Sequence, residues 1–500
     1  MKQILYLLLG CLIPFQFLTA KVYSSPERTP VDYVNPYIGN ISHLLVPTYP
    51  TVHLPNSMLR IYPERENFTG NTINGLPLIV TSHRGSSAFN LSPYQGELQK
   101  AGSIIQYGYD NEVIKPYYYS VDLDDDGIYV QYAPSHQSGI YQIDFSQTDK
   151  PAYLIFNTRD GELKTDGKSI SGYQKLGNHT QVYIYLETDQ QPLKIGTHQG
   201  AVIRTTDKST QGHNAYYILE YPKGTASVLL RYGVSFISSE QAKQNLRREI
   251  KNYNLQAVAD KGRSVWNETL GKIFVKGGTE NEKTVFYTSL YRTYERMICI
   301  SEDGRYFSAY DGQVHDDEGI PFYVDDWIWD TYRATHPLRL IIETEMESNM
   351  VNSLIRMAYQ MQPNWMPTFP EINGDSRRMN CNHGVATVLD AYNKGMRSFD
   401  LAKAYQVCKA AITEKTLAPW SSKPAGVLDQ FYKDHGYFPA LAVGEQETVP
   451  EVHSWERRQP AAVTLGTVYD EWCLGNIAQA LGDKKEADYF LKRSLNYHKI

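Results

Sequence analysis

The texture of the chain changes at Ser238, and that change limits the folds open to it. From about residue 31 to 237, short runs rich in aromatic and β-branched residues recur. They are Ile128–Tyr132, Ile140–Phe145, Tyr153–Asn157, Val182–Leu186, Tyr216–Tyr221 and Ser227–Tyr232. Turn residues punctuate them, as in Asp125-Asp126-Gly127, Asp160-Gly161 and Asp166-Gly167. Many short strands at this spacing predict an antiparallel β-sandwich.

At Ser238 and Gln241 a capping-box pattern opens a helical linker, Gln241–Gly271, followed by a short β-like run at Ile273–Lys276. Helices dominate from Asn281. Met346, Met350, Val351, Leu354, Met357 and Met361 recur at three- and four-residue steps. Val385–Lys394 is closed by Gly395, and Asp400–Thr413 follows. Ala461–Leu481 places Leu465, Val468, Trp472 and Leu481 on its apolar side, and Gly482-Asp483 turns into Ala487–Tyr497. Helical hairpins joined by longer loops predict an α/α toroid. The loops Pro363–Asn382 and Pro419–Glu456 are where a site is expected. The expected organisation is therefore a multidomain β + α protein. It has a signal peptide at 1–20, a sandwich at 31–237, a helical linker at 238–272 and a toroid at 273–500 that is incomplete.

At 500 residues the chain exceeds what one core supports. A net charge of -6 with no dominant basic stretch argues against nucleic acid as a partner. The 39 tyrosines suit β-structure and polar-aromatic binding surfaces. Lys2, the apolar run Ile4–Phe17 and Leu18-Thr19-Ala20 form an export signal, which is too short for a lasting membrane span. Leu8-Leu9-Gly10-Cys11 resembles a lipoprotein cleavage box. Only ten residues precede the cysteine, so ordinary export to the periplasm or cell surface is expected over a lipid anchor. Cys299, Cys381, Cys408 and Cys473 fit no zinc spacing and are read as buried thiols, with room for one bridge.

The densest chemistry lies in Ile320–Leu338, with five aromatics, three carboxylates, an arginine and a histidine. A helical run from Trp329 would put Trp329, Asp330 and Arg333 on one face. A carboxylate held by a guanidinium beside an indole suits a sugar. The carboxylate accepts vicinal hydroxyls, and the ring packs on the apolar C–H face. The plainer reading makes Trp329 a core residue and Asp330–Arg333 an ordinary surface pair. His43, His83 with Arg84, and the amide-rich Asn373–His383 segment with its His383 are further candidates, each with a structural alternative as a buried or capping polar group. Asp122-x-Asp124-x-Asp126-Gly127 begins like a calcium loop. Its twelfth position is Ala133 where a bidentate glutamate is required, so a hairpin turn is expected.

Trp329-Asp330-Thr331-Tyr332-Arg333 with His336-Pro337-Leu338 resembles the central signature of family 92 glycoside hydrolases, which are calcium-dependent, inverting exo-α-mannosidases common in Bacteroidetes. Val34–Gly39, Phe286–Arg292, Gly304–Gly312, Asp390–Asp400 and Thr464–Trp472 resemble other segments of the family in the same order, covering about 31–500. The resemblance implies an N-terminal β-sandwich, a helical linker and an (α/α)6 toroid, with a site between sandwich and toroid, calcium as cofactor and a mannose-containing glycan as substrate. Trp329 and Asp330 would hold the terminal mannose with Arg333 in support, and His43 and His83 would come from the sandwich. Two loops depart from the family pattern: Leu54-Pro55-Asn56-Ser57-Met58 and Ser82-His83-Arg84-Gly85. Both are expected to touch substrate, which leaves room for a linkage or aglycone preference other than that of simple α-1,2-mannosides.

An inverting hydrolase needs an acid and a base roughly 6.5–9.5 Å apart. Neither Asp325/Asp326 nor Asp470/Glu471 makes a defensible pair. The family's acid glutamate, its base aspartates and most calcium ligands are expected beyond residue 500, so the chain is expected to be an inactive fragment of an active enzyme. The competing readings are a non-catalytic glycan-binding protein on the same scaffold, and a lyase or phosphorylase on the same toroid.

Overall fold

The computed structural model describes residues 28–40, 48–65, 70–81, 87–124, 127–147, 149–200 and 202–500. The first part is antiparallel throughout. Its strands are β1 Val52–His53, β2 Arg60–Ile61, β3 Thr72–Asn74, β4 Leu76–Pro77, β5 Phe89–Tyr94, β6 Gln106–Lys115, β7 Tyr118–Leu123 and β8 Ile128–Pro134. They continue with β9 Ser138–Phe145, β10 Ala152–Thr165, β11 Ser169–Gly177, β12 Thr180–Thr188, β13 Lys194–Gln199, β14 Val202–Arg204, β15 Ser209–Tyr221 and β16 Ser227–Ser235. β10 links the two layers of the sandwich. Its first half pairs with β5, its second half with β11, and β15 runs along both halves. One layer continues through β12, β16, β9, β8, β7 and β6, and the other through β15, β13 and β14. β12 alternates buried and half-buried residues, as a strand with one face on a core must. β7 and β8 pair as the hairpin expected around the calcium-like sequence, although residues 125 and 126 lie outside the described set.

Tyrosine is the cross-layer fastener. Tyr141 on β9 and Tyr232 on β16 bury their rings and donate their hydroxyls to the carbonyls of Pro77 and Leu78, at 2.5 and 2.7 Å. Each ring fills the core while its hydroxyl satisfies a buried carbonyl. Much of the tyrosine excess is therefore structural.

Two helices, α1 Ser239–Glu249 and α2 Leu255–Leu270, lie against the sandwich. Ser238 caps α1 by accepting from the Gln241 amide at 3.0 Å. α1 approaches β16 at Gly233, where a side chain would meet the Ala242 carbonyl at 2.1 Å. Trp266 of α2 is fully buried and donates to the His53 carbonyl at 2.8 Å. The run Ile273–Lys276 is not a strand. The Tyr287 hydroxyl occupies the backbone groups that a partner strand would need, bonding the Ile273 carbonyl at 3.2 Å and the Val275 amide at 3.3 Å.

The remaining helices are α3 Glu280–Thr293, α4 Ile328–Thr331, α5 Thr335–Ile342, α6 Thr344–Gln360, α7 Gly384–Asn393, α8 Leu401–Thr413, α9 Val427–His435, α10 Pro460–Ala480 and α11 Lys484–Ser494. α6 buries Met350, Val351, Leu354 and Met357, and Gly395 closes α7 with φ +94°. Cys299, Cys381, Cys408 and Cys473 are unbridged. α10 is turned from its expected face: Leu465, Trp472 and Leu481 are 50%, 44% and 40% exposed, while Val468, Asp470 and Glu471 are buried. Apolar periodicity misleads here because the two acids have buried partners, His383 for Asp470 and Arg493 with Tyr432 for Glu471. Among the described residues, no helix is long and apolar enough to cross a membrane.

Candidate active site

The segment Ile320–Leu338 is held by two adjacent carboxylates that point apart. Asp325, in the left-handed region at φ +67°, receives Arg60 from β2 at 2.5 Å and Arg296 at 2.7 Å. This joins sandwich and helices through one buried carboxylate. Asp326 accepts from the Thr331 hydroxyl and from Nε2 of His336, both at 2.8 Å, while His336 Nδ1 meets Glu347 at 2.7 Å. Burial opposes charge on His336, yet Glu347 and Asp326 outweigh it and hold its pKa up to about 10. Burial likewise opposes ionisation of Asp326, and the cation at His336 holds this carboxyl below its usual range.

That buried triad pins α4, which presents Trp329 and Asp330. The helix lasts only four residues, so Arg333 lies beyond it, but its guanidinium still sits 5.5 Å from the Trp329 ring and 5.6 Å from that of Tyr332. Trp329 is half-buried and donates Nε1 to Asn380 Oδ1 at 3.3 Å, so it belongs neither to the core nor to open surface. Asp330 is exposed and makes no ion pair with Arg333. Partial burial raises its carboxyl pKa, Arg333 opposes this and Asp326 adds to it.

The Asn373–His383 segment supplies the facing wall. Asp375 accepts from the amides of Thr368, Phe369 and Arg377 and fixes the turn. His383 stacks on Tyr332 at 4.3 Å, and its Nδ1 lies 2.7 Å from Asp470. The sandwich reaches this wall at the β11–β12 turn, where Asn178 donates to the Asn373 carbonyl at 2.9 Å. Trp329, Asp330, Arg333 and His383 are thus gathered into one region. His43, His83 and Arg84 lie outside the described residues. Asn56 and Ser57, expected at substrate, are buried instead in the seam between the two parts, with Asn56 Nδ2 on the Met297 carbonyl at 2.6 Å.

Among the described residues the region offers one unpaired carboxylate, Asp330, beside an indole and a guanidinium, which is a hydroxyl-binding surface. Of the neighbouring acids, Asp325 pairs with arginines, Asp326 with His336 and Glu371 with Arg378 at 3.1 Å, while Asp470 is hydrogen-bonded to His383. Among the described residues no three His, Cys, Asp or Glu side chains gather where they could hold a metal. Sequence reasoning missed Asp326, His336 and Glu347 as a unit. The available signal was one acid ten residues before His336 and another eleven residues after it.

Residues 241–500 match the glycosyl hydrolase family 92 catalytic domain, and residues 33–235 match the family's N-terminal domain. The structure is similar to that of a family 92 inverting mannosidase from Bacteroides thetaiotaomicron, with a TM-score of 0.82 and 25% identity over 95% of this chain and 65% of that one. A family 92 α-mannosidase from the same organism shares the fold at TM-score 0.81 and 22% identity, over 94% of this chain and 66% of that one. A curated relative, described as an uncharacterized secreted glycosidase of Arthroderma benhamiae, is 22% identical over 98% of this chain and 64% of its own length. The chain thus spans 64–66% of the length of these relatives. With its sandwich and its helical part each matched in order, the chain belongs to glycosyl hydrolase family 92.

Proposed function

We propose that the protein is an exported exo-α-mannosidase that removes terminal α-linked mannose, of α-1,2 type, from glycans by an inverting, calcium-assisted reaction. The observation that carries this reading is the exposed, unpaired Asp330 carboxylate set between Trp329 and Arg333 on a family 92 scaffold. Asp330 would accept two vicinal hydroxyls of the terminal sugar while Trp329 packs on its C–H face. His383, braced by Asp470, closes the side, and His43, His83 and Arg84 would join from the sandwich. A mannosidase relative at 25% identity supports the substrate class, and a relative described as secreted supports export through the leader at 1–20. Calcium rests on the family resemblance alone.

A second reading is a glycan-binding protein without hydrolysis. It is favoured by one observation: Asp325 and Glu371 are held by arginines, Asp326 by His336, and Asp470 is hydrogen-bonded to His383. One experiment separates the two. The protein is given a panel of α-mannosides with and without a calcium chelator, and free mannose is measured. Chelator-sensitive release, abolished by Asp330→Ala, supports the mannosidase. Binding without release replaces it with the second reading.

A further inference from the structure

The loop 363–382 and the segments flanking α9 within 418–459 meet beside the Trp329 region and carry a second group of the same composition. Trp420 is 39% exposed, and the Arg378 guanidinium lies 5.9 Å from its ring centroid. Arg378 pairs with Glu371 at 3.1 Å. Indole, guanidinium and carboxylate thus recur as they do at Trp329, Arg333 and Asp330. His453 adds a fourth member, with its ring 5.3 Å from Trp420. Its Nδ1 accepts from the amides of Trp455 and Glu456 at 3.3 and 3.2 Å, so in the neutral ring the proton sits on Nε2, which is left as a donor.

The two groups share one rim. Arg378 precedes Asn380 by two residues, and Asn380 bonds Trp329. Asn380 Nδ2 also donates to Gln459 at 2.8 Å, and Gln459 donates to Glu456 at 2.8 Å, tying the loop of Trp420 to that of Arg378. Arg377, Met379, Cys381, Trp420, Arg457 and Gln459 all have φ between 45° and 71° on these two loops. A bulky side chain in the left-handed region is unfavourable, and strain of this kind collects at ligand sites. A tryptophan serving only the core would gain by burial, and this one stays partly exposed beside hydrogen-bonding groups.

We propose that Trp420, with Arg378, Glu371 and His453, is a platform for the sugar residue next to the terminal one. It takes a second pyranose of an α-mannoside chain by stacking, with hydroxyls held by the charged pair and the imidazole. This rests on the reading that Asp330 and Trp329 hold the terminal mannose.

The test is calorimetric binding of methyl α-mannoside and an α-linked mannobiose to the full chain. The expected result is mannobiose binding roughly tenfold tighter, the size of one aromatic contact. Trp420→Ala removes that gain and leaves the affinity for methyl α-mannoside unchanged, Trp420→Phe keeps part of it, and Asp330→Ala loses both sugars. Equal affinity for the two sugars in the wild type overturns the platform and leaves the terminal-sugar reading standing. Equal weakening of both sugars by Trp420→Ala and Trp420→Phe makes Trp420 merely structural and also overturns it. If the wild type binds neither sugar, the reading of Asp330 falls and takes the platform with it.

Discussion

Nδ1 of His383 lies 2.7 Å from Oδ1 of Asp470, and the second oxygen of that carboxylate takes the Asn382 amide at 2.7 Å. Asp470 is fully buried, so these two contacts replace the water it has lost. One side chain of α10 thereby sets both the end of the facing loop and the ring on which Tyr332 stacks. Asp470→Asn keeps the shape but turns one acceptor into a donor that faces an N–H. The expected cost is roughly 2–4 kcal/mol, measured by urea unfolding. Mannoside affinity should also fall, because the His383 ring is no longer held. A variant as stable as wild type with unchanged affinity would refute the bracing role.

The β half of the fold was legible because its strands are bounded by turn residues and keep alternate side chains inward. Every strand read from the sequence, Ile128–Tyr132 through Ser227–Tyr232, lies inside an observed strand. The helical half was legible in its spans and less so in its faces. α10 shows why: Asp470 and Glu471 look like surface residues until His383 and Arg493, distant in sequence, are brought to them. The same limit applies at the site. Trp329, Asp330 and Arg333 stand out by local spacing. The Arg60–Asp325 pair links residues 265 apart, and no local pattern encodes it.

That pair yields the second prediction. Asp325 faces both Arg60 and Arg296, and all three are buried or nearly so. Removing the shared carboxylate leaves two guanidinium groups without their counter-ion. Asp325→Ala should cost roughly 3–5 kcal/mol. Because the contact joins the sandwich to the helical part, thermal unfolding should split into two transitions by calorimetry. A single transition at the wild-type temperature would show that the seam is held elsewhere.

His336 gives a pH dependence of defined sign. Its pKa is about 10 in the folded protein, against roughly 6.5 for an unperturbed histidine. Its stabilisation is therefore complete below about pH 6.5 and is lost as pH rises through about 10. His336→Gln, which cannot carry the charge between Asp326 and Glu347, should be less stable by roughly 3–5 kcal/mol near pH 6. The gap should shrink as pH approaches 10, which denaturant midpoints across that range would show. A gap that is constant with pH would mean that packing, not charge, is what His336 supplies.

Asp330 can act on a sugar only as a carboxylate, because protonation replaces one acceptor with a donor and removes the charge that strengthens its hydrogen bonds. Partial burial raises its pKa, with Arg333 opposing, so its charge is lost at higher pH than that of an ordinary aspartate. Affinity for methyl α-mannoside should accordingly decline on acidification, beginning above about pH 4, while the fold is still intact by circular dichroism. Asp330→Asn keeps the size and loses the charge at every pH. It should bind roughly a hundredfold more weakly, as expected when two charge-assisted hydrogen bonds are reduced, and its remaining affinity should not vary over the same interval. Trp329→Ala removes the stacking surface and leaves the carboxylate, so it should weaken binding roughly tenfold and keep the acid dependence of the wild type. Acid dependence that persists in Asp330→Asn would assign the titrating group elsewhere and remove Asp330 from the hydroxyl-binding role.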